Sequence, residues 1–189
     1  MIDLPKIILA SASPRRAEIL QTIGWPFEAL AVHIDESRGQ NEDAANYVQR
    51  LARGKAETAA ARTVGLNVVG ADTTVVIDDQ ILEKPVDAND ARRMLEMLSG
   101  RWHKVLTGVA VVDRERWETK VAYQETEVKF AAMNDDEIEW YVAGGEPMDK
   151  AGAYAIQGQG ARFIEGIRGD YSNVVGLPVR LLYELFAGQ

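Results

Sequence analysis

At 189 residues the chain fits one domain, or two small lobes sharing a core, and its net charge of −8 argues against a protein that coats a nucleic-acid polymer. Having no cysteine, it has no disulfide framework, no thiolate nucleophile and no cysteine-held zinc or iron–sulfur site, and its two histidines, His33 and His103, are too few for a histidine-rich metal centre. The opening Met1-Ile2-Asp3-Leu4-Pro5-Lys6 lacks signal architecture and no apolar run approaches a membrane span, so a cytoplasmic protein with no membrane partner is expected.

Apolar runs alternate with segments of helical period, the pattern of an α/β protein. Ile7-Ile8-Leu9-Ala10 reads as a strand, followed by a helix through Ile19, Leu20 and Ile23. Ser13 suits the N-cap of that helix and Pro14 its first turn. A short strand is expected over Pro26 to Val32, a polar loop over Asp35 to Glu42, and a helix over Asp43 to Arg62 with Tyr47, Val48, Leu51, Ala52 and Ala56 inward. Leu66 to Ile77 is a long strand closed by Asp78-Asp79, and Asp87 to Leu98 a helix stopped near Gly100. Val105 to Val112 and Trp117 to Met133 read as a hairpin. In the second arm, Val121, Tyr123, Glu125, Glu127 and Lys129 share one half-exposed face. Asn134 and Glu137 form a capping-box variant that opens a helix to about Ala143, ended by Gly144-Gly145-Glu146-Pro147. Val174 to Phe186 completes the chain as a turn and a helix, and the sheet is expected to be mixed.

Ser11-Ala12-Ser13-Pro14-Arg15-Arg16 sits at a strand-to-helix turn. Helix N-terminal N–H groups with two guanidinium forks make an anion site; the same residues also suit an ordinary capped helix with solvated arginines. Asp72 interrupts Val68-Val69-Gly70-Ala71-Asp72-Thr73-Thr74-Val75-Val76-Ile77, where a carboxylate must be paired, metal-bound or at the mouth of a cleft, unless the strand ends at Ala71 and Asp72 begins a turn. Lys84, before Pro85, is held or merely solvated, and Lys55 lies near the buried side of its helix, where a long side chain also reaches water. Glu36 reads by itself as a solvated loop acid, and His103 as structural or catalytic.

Together these segments resemble the Maf proteins, nucleoside triphosphate pyrophosphatases also associated with inhibition of septum formation. The resemblance spans nearly the whole chain and rests on Leu9 to Arg16, Gly70 to Val76, Glu83-Lys84-Pro85, Ser99 to Val109 and Asp149 to Gly158. It implies a single domain over residues 1–189, an α/β fold whose mixed, twisted sheet forms two lobes around a central cleft, similar to inosine triphosphate pyrophosphatases, and it admits a homodimer. The Ala71-Asp72-Thr73 and Ala155-Ile156-Gln157-Gly158 versions resemble the subgroup acting on dTTP and UTP. Gly54 departs from the family, which commonly has glutamate before the lysine.

The resemblance implies hydrolysis of dTTP, UTP and modified pyrimidine triphosphates to a monophosphate and pyrophosphate, in nucleotide-pool sanitation and in arrest of cell division. Asp72 is then the proton acceptor, assisted by Lys55 and Lys84. Ser11, Ser13, Arg15 and Arg16 contact phosphates, and Thr73 and Gln157 join Arg15 as specificity positions. Glu36 and Asp72 hold a divalent cation, Mg²⁺ or Mn²⁺. A glutamine amide matches N3–H and O4 of uracil or thymine, but flipped it suits cytosine, so a neighbour such as Thr73 must fix its direction. A nucleotide-sensing regulator without turnover, and a pyrophosphatase for purine or 7-methylguanine nucleotides, are the alternatives.

Overall fold

The structure, a computed structural model, describes residues 4–187. The chain divides into two compact units: the first contains the chain up to Asp72, Thr107–Gln124 and the chain from Gly176, and the second contains Thr73–Leu106 and Glu125–Val175. The hydrogen-bonded strand order is β2-β1-β3-β5-β6-β7, with β4 beside β3. Here β1 is Ile7–Ala10, β2 Phe27–Ala29, β3 Asn67–Ile77, β4 Gln80–Leu82, β5 Trp102–Asp113, β6 Glu118–Phe130 and β7 Ile164–Arg168. Strand β1 runs parallel to β2 and β3, whereas β4 is antiparallel to β3 and β7 to β6, so the sheet is mixed, as expected.

In the first unit the unbroken apolar run of β1 is buried at all four positions, because both faces of this parallel segment are covered. Ile7 and Leu9, with Val69 and Ala71, pack against Leu20 of α1 (Pro14–Thr22) and against Leu182 and Phe186 of α6 (Val179–Ala187). Ile8, Ala10 and Val68 face the other way, onto Ala52, Ala56 and Ala59 of α2 (Ala44–Ala60). Alternation along the strands thus divides the apolar residues into two cores.

Helix α2 lies unusually close to the sheet. A Cβ at Gly70 would fall 2.2 Å from the Ala52 carbonyl oxygen and 2.7 Å from the Ala56 nitrogen, and one at Gly108 would fall 2.3 Å from the Val48 carbonyl oxygen. Two bare strand positions facing an alanine-rich helix therefore set the spacing. The helix continues unbroken through Gly54, where a Cβ would lie 3.1 Å from Ile34 Cδ1. Glycine there costs about 1 kcal/mol of helix stability relative to alanine, while leaving room for the loop that carries Glu36 to approach the helix beside Lys55.

In the second unit, Asp78 and Asp79 turn β3 into β4, both with φ in the left-handed region, the geometry of a tight hairpin. Helix α3 (Ala88–Leu98) is capped by the Asp87 carboxylate and buries Met94, Leu95 and Leu98, as its periodicity predicts. Helix α4 (Asp135–Ala143) has the capping box expected of Asn134 and Glu137. Along β6, Thr126, Val128 and Phe130 are buried and the opposite face is open, also as expected. Four differences stand out: β5 begins three residues earlier than its apolar run, placing His103 inside the strand; β4 and β7 are strands that the sequence pattern does not predict; and the last segment begins with the short α5 (Tyr171–Val175). Strand β7 is short, largely uncovered and interrupted by Gly166, so it lacks the periodic signal of a half-buried strand. Among the described residues no helix is long and apolar enough to cross a membrane.

The close seat of α2 gives a direct prediction. Gly70→Ala forces a methyl group into the α2 backbone and should destabilise the protein by about 1–3 kcal/mol, read from urea denaturation. Wild-type stability in that variant would contradict the packing described.

Candidate active site

The first unit gathers charged residues where its strands end. Asp72 lies two residues beyond the last register pair of β3 with β1, Gly70 with Ala10. Lys55, from α2, places Nζ 2.6 Å from Asp72 Oδ1 and 2.7 Å from Glu36 Oε1, so one ammonium joins two carboxylates. The Asp72 and Lys55 side chains are each only 12 % exposed, whereas Glu36 is 52 % exposed. The Tyr47 hydroxyl donates to the Glu36 carbonyl oxygen at 3.0 Å, tying the otherwise irregular loop to α2. Asp72 is therefore a paired carboxylate in a strand, not the start of a turn.

The turn between β1 and α1 supplies the second group. Arg16 is buried; its Nε donates to the Gly176 carbonyl oxygen at 2.7 Å and its Nη1 to Ser11 Oγ at 3.1 Å. Ser13 stands at the N-cap, but its side chain does not cap the helix. Its backbone N–H instead donates to Ser11 Oγ at 3.2 Å, making Ser11 the organising hydroxyl of this turn. Arg15, on the first turn of α1, is half-buried, and its charge acts on Arg16. Burial lowers the Arg16 pKa from its ordinary value, Asp72 opposes that shift, Arg15 adds to it and Glu36 opposes it. The motif is thus a structured cationic turn with one arginine locked into the fold.

Burial raises the Asp72 carboxyl above the ordinary aspartate value of 3.8, and the charges of Lys55 and Arg16 restrain the rise. A buried ion pair is weak evidence of stability, since desolvation offsets much of the attraction. With its folded pKa raised, Asp72 contributes stability that is fully present below 3.8 and lost as pH rises through the folded value. Ionising it therefore costs the fold, the pattern expected of a group retained for chemistry.

The remaining sequence-selected residues belong to the second unit. Thr73 follows Asp72 on β3 and is half-buried. Lys84 is exposed beside buried Pro85, and the preceding Glu83 carbonyl accepts the Gly152 N–H at 3.1 Å, fixing the backbone there. Gln157 is exposed on a turn. His103 is structural: Nε2 meets the Tyr154 hydroxyl at 2.8 Å, the ring packs edge-on to Phe130 and Tyr154, and burial pushes its pKa down to about 3, so it stays neutral.

Sequence reasoning missed Glu146 and Tyr141. Glu146 accepts from the Tyr141 hydroxyl at 2.7 Å, the Gln159 N–H at 2.9 Å and the Gly160 N–H at 3.1 Å. Burial works to raise its pKa, but hydrogen bonds from Gln159, Tyr141 and Gly160 and the charge of Lys150 outweigh it and hold the carboxyl below its ordinary value. The segment Gly144-Gly145-Glu146-Pro147 signalled only a helix stop. An acid within a glycine-proline turn was the available clue.

Among the described residues no three histidine, cysteine, aspartate or glutamate side chains group to hold a metal. Glu36 and Asp72 already converge on a cation, the Lys55 ammonium. Two carboxylates with the rest of the shell from water and phosphate oxygens is a donor set that suits Mg²⁺ or Mn²⁺. The residues fit such an ion in that mode.

The coupling of Asp72 to Lys55 can be measured directly. In a carbon-13 NMR titration, Asp72 Cγ should titrate above the ordinary aspartate range, and Lys55→Gln should move it higher still by removing the neighbouring charge. An ordinary pKa that does not respond to Lys55→Gln would contradict the pairing.

The family profile described as Maf-like protein matches residues 6–189. A protein of Symbiobacterium thermophilum named dTTP/UTP pyrophosphatase is 50% identical over 176 residues, covering 93% of this chain and 90% of its own. Proteins of the same name from Methylobacillus flagellatus and Moorella thermoacetica are 51% and 50% identical, covering 94% and 97% of this chain and 89% and 95% of their own. Among solved structures, the Staphylococcus aureus Ham1 protein aligns with 97% of this chain and 98% of its own at a TM-score of 0.49 and 14% identity, too distant a likeness to bear on function. With the profile reaching from residue 6 to the C-terminus and about half of the residues shared with these relatives, the chain belongs to the Maf family.

Proposed function

We propose that this protein hydrolyses UTP and dTTP, and modified pyrimidine triphosphates, to the nucleoside monophosphate and pyrophosphate. The observation that carries this reading is the half identity, over nine-tenths of the chain, to proteins named for that activity. The ion-paired Asp72 in the first unit supports it chemically. Water attacks the α-phosphorus, an O–P bond forms, and the bond to the bridging oxygen of the departing pyrophosphate breaks. Asp72 takes the water proton, a role helped by its raised pKa, since a stronger base accepts a proton more readily.

Lys55 holds Asp72 in place and limits how far its pKa rises. Arg15, Arg16 and Lys84 bind triphosphate oxygens, and Ser11 and the turn through Ser13 contribute hydroxyl and N–H donors. Glu36 and Asp72 would hold a divalent cation, Mg²⁺ or Mn²⁺, which when bound supplies neutralising charge on the phosphates. Gln157 reads the pyrimidine edge, with Thr73 and Arg15 as further specificity positions. Local cationic groups thus bind a polyanion although the chain as a whole carries −8. The cellular role in this reading is sanitation of the cytoplasmic nucleotide pool.

Two measurements test the reading. UTP with a divalent metal should yield UMP and pyrophosphate, and primary release of UDP and orthophosphate would contradict attack at the α-phosphorus. Asp72→Asn, which preserves shape and removes basicity, should lower kcat by about 10²-fold or more while the protein stays folded. Normal turnover by the purified, metal-supplied variant would remove Asp72 from the proton-accepting role.

A further inference from the structure

Reading uracil with a glutamine leaves one problem. The Gln157 amide presents a donor and an acceptor, and turning it by half a revolution exchanges uracil for cytosine as the better partner. Among the described residues the Gln157 amide makes no hydrogen bond, so what the protein itself fixes is the backbone from which the side chain reaches out.

That backbone is tethered on both sides. The Ala155 N–H, two residues before Gln157, donates to the Tyr141 hydroxyl at 3.1 Å. The Gln159 and Gly160 N–H groups, just after it, donate to Oε2 and Oε1 of Glu146 at 2.9 and 3.1 Å. Tyr141 closes the network by donating its hydroxyl proton to Glu146 Oε1 at 2.7 Å. Between the tethers, the chain packs directly on the carboxylate: a Cβ at Gly158 would lie 2.2 Å from Glu146 Oε2. Tyr141 is fully buried and edge-on to Phe163, so the post behind the clamp is rigid.

We infer that Glu146 is a positioning residue for base selection, holding the turn from which Gln157 reaches the base. The inference rests on the proposed function, in which Gln157 reads the pyrimidine. The carboxylate is suited to the task because it only accepts hydrogen bonds, and all three groups around it donate. A glutamine in its place would set its own NH₂ donors against one of those groups and release one side of the turn. The device differs from the fixing of Gln157 by Thr73 expected from sequence, and it lies wholly within the second unit.

The test compares kcat/KM for UTP and CTP in the wild type, Glu146→Gln, Gly158→Ala, Gln157→Ala and the Glu146→Gln/Gln157→Ala double variant, with thermal melts to confirm folding. Glu146→Gln should lower the UTP-to-CTP ratio about tenfold, with CTP turnover less affected. Gly158→Ala, which leaves Glu146 in the chain but pushes its carboxylate aside, should reproduce the effect and serves as the second route should Glu146→Gln fold poorly. In the Gln157→Ala background, Glu146→Gln should cost no further selectivity, since both act through one side chain. A ratio unchanged by Glu146→Gln and Gly158→Ala, or losses that multiply in the double variant, would overturn the inference while leaving Gln157 as reader. A ratio unchanged by Gln157→Ala would overturn the base-reading role and this inference with it.

Discussion

A carboxylate buried inside a β-strand is costly unless an opposite charge or hydrogen-bond donors meet it, and Lys55 meets Asp72 at 2.6 Å. The structure around the pair is arranged to bring that ammonium close. Helix α2 can lie against the sheet because Gly70 and Gly108 offer no side chain and Ala52, Ala56 and Ala59 offer small ones. Gly54 leaves room on the same helix for the Ile34 side chain, and the loop beyond it brings Glu36 to Lys55. Packing and electrostatics are therefore one problem here: the close seat of α2 that requires Gly70 and Gly108 is also the seat from which Lys55 meets Asp72.

In the proposed reaction the charged groups of the first unit would let an acidic protein bind a polyanion. The whole-chain charge sets solubility and long-range steering, whereas binding depends on which charges are held close to the ligand and out of water. Arg16 is fixed by the Gly176 carbonyl and Ser11, so much of its side-chain entropy is lost on folding and not on binding. Such preorganisation is where an enzyme gains by holding groups in position before the substrate arrives.

Much of this was legible in the sequence for reasons that are local. Asn134 and Glu137 close a capping box because both partners lie within one helical turn. Asp72 was conspicuous because it broke an apolar run, and α3 buried the residues its period indicates. What was not legible depended on distant partners. Ser13 has a capping residue's identity, yet Ser11 Oγ, held by Arg16, takes its N–H. His103 could not be assigned until Tyr154, 51 residues away, was found against its ring. Glu146 belongs to a helix stop by sequence and to a clamp by structure, because its ligands are backbone N–H groups that carry no sequence signal.

The central claim is that the buried, Lys55-paired carboxylate of Asp72 accepts the proton of the attacking water. The pH dependence of kcat/KM for UTP at saturating metal tests it most directly. The account predicts an acid limb of unit slope that belongs to Asp72, because only its ionised form can accept the proton. The limb should be lost, along with most of the activity, in Asp72→Asn. An acid limb that survives unaltered in Asp72→Asn would contradict the account.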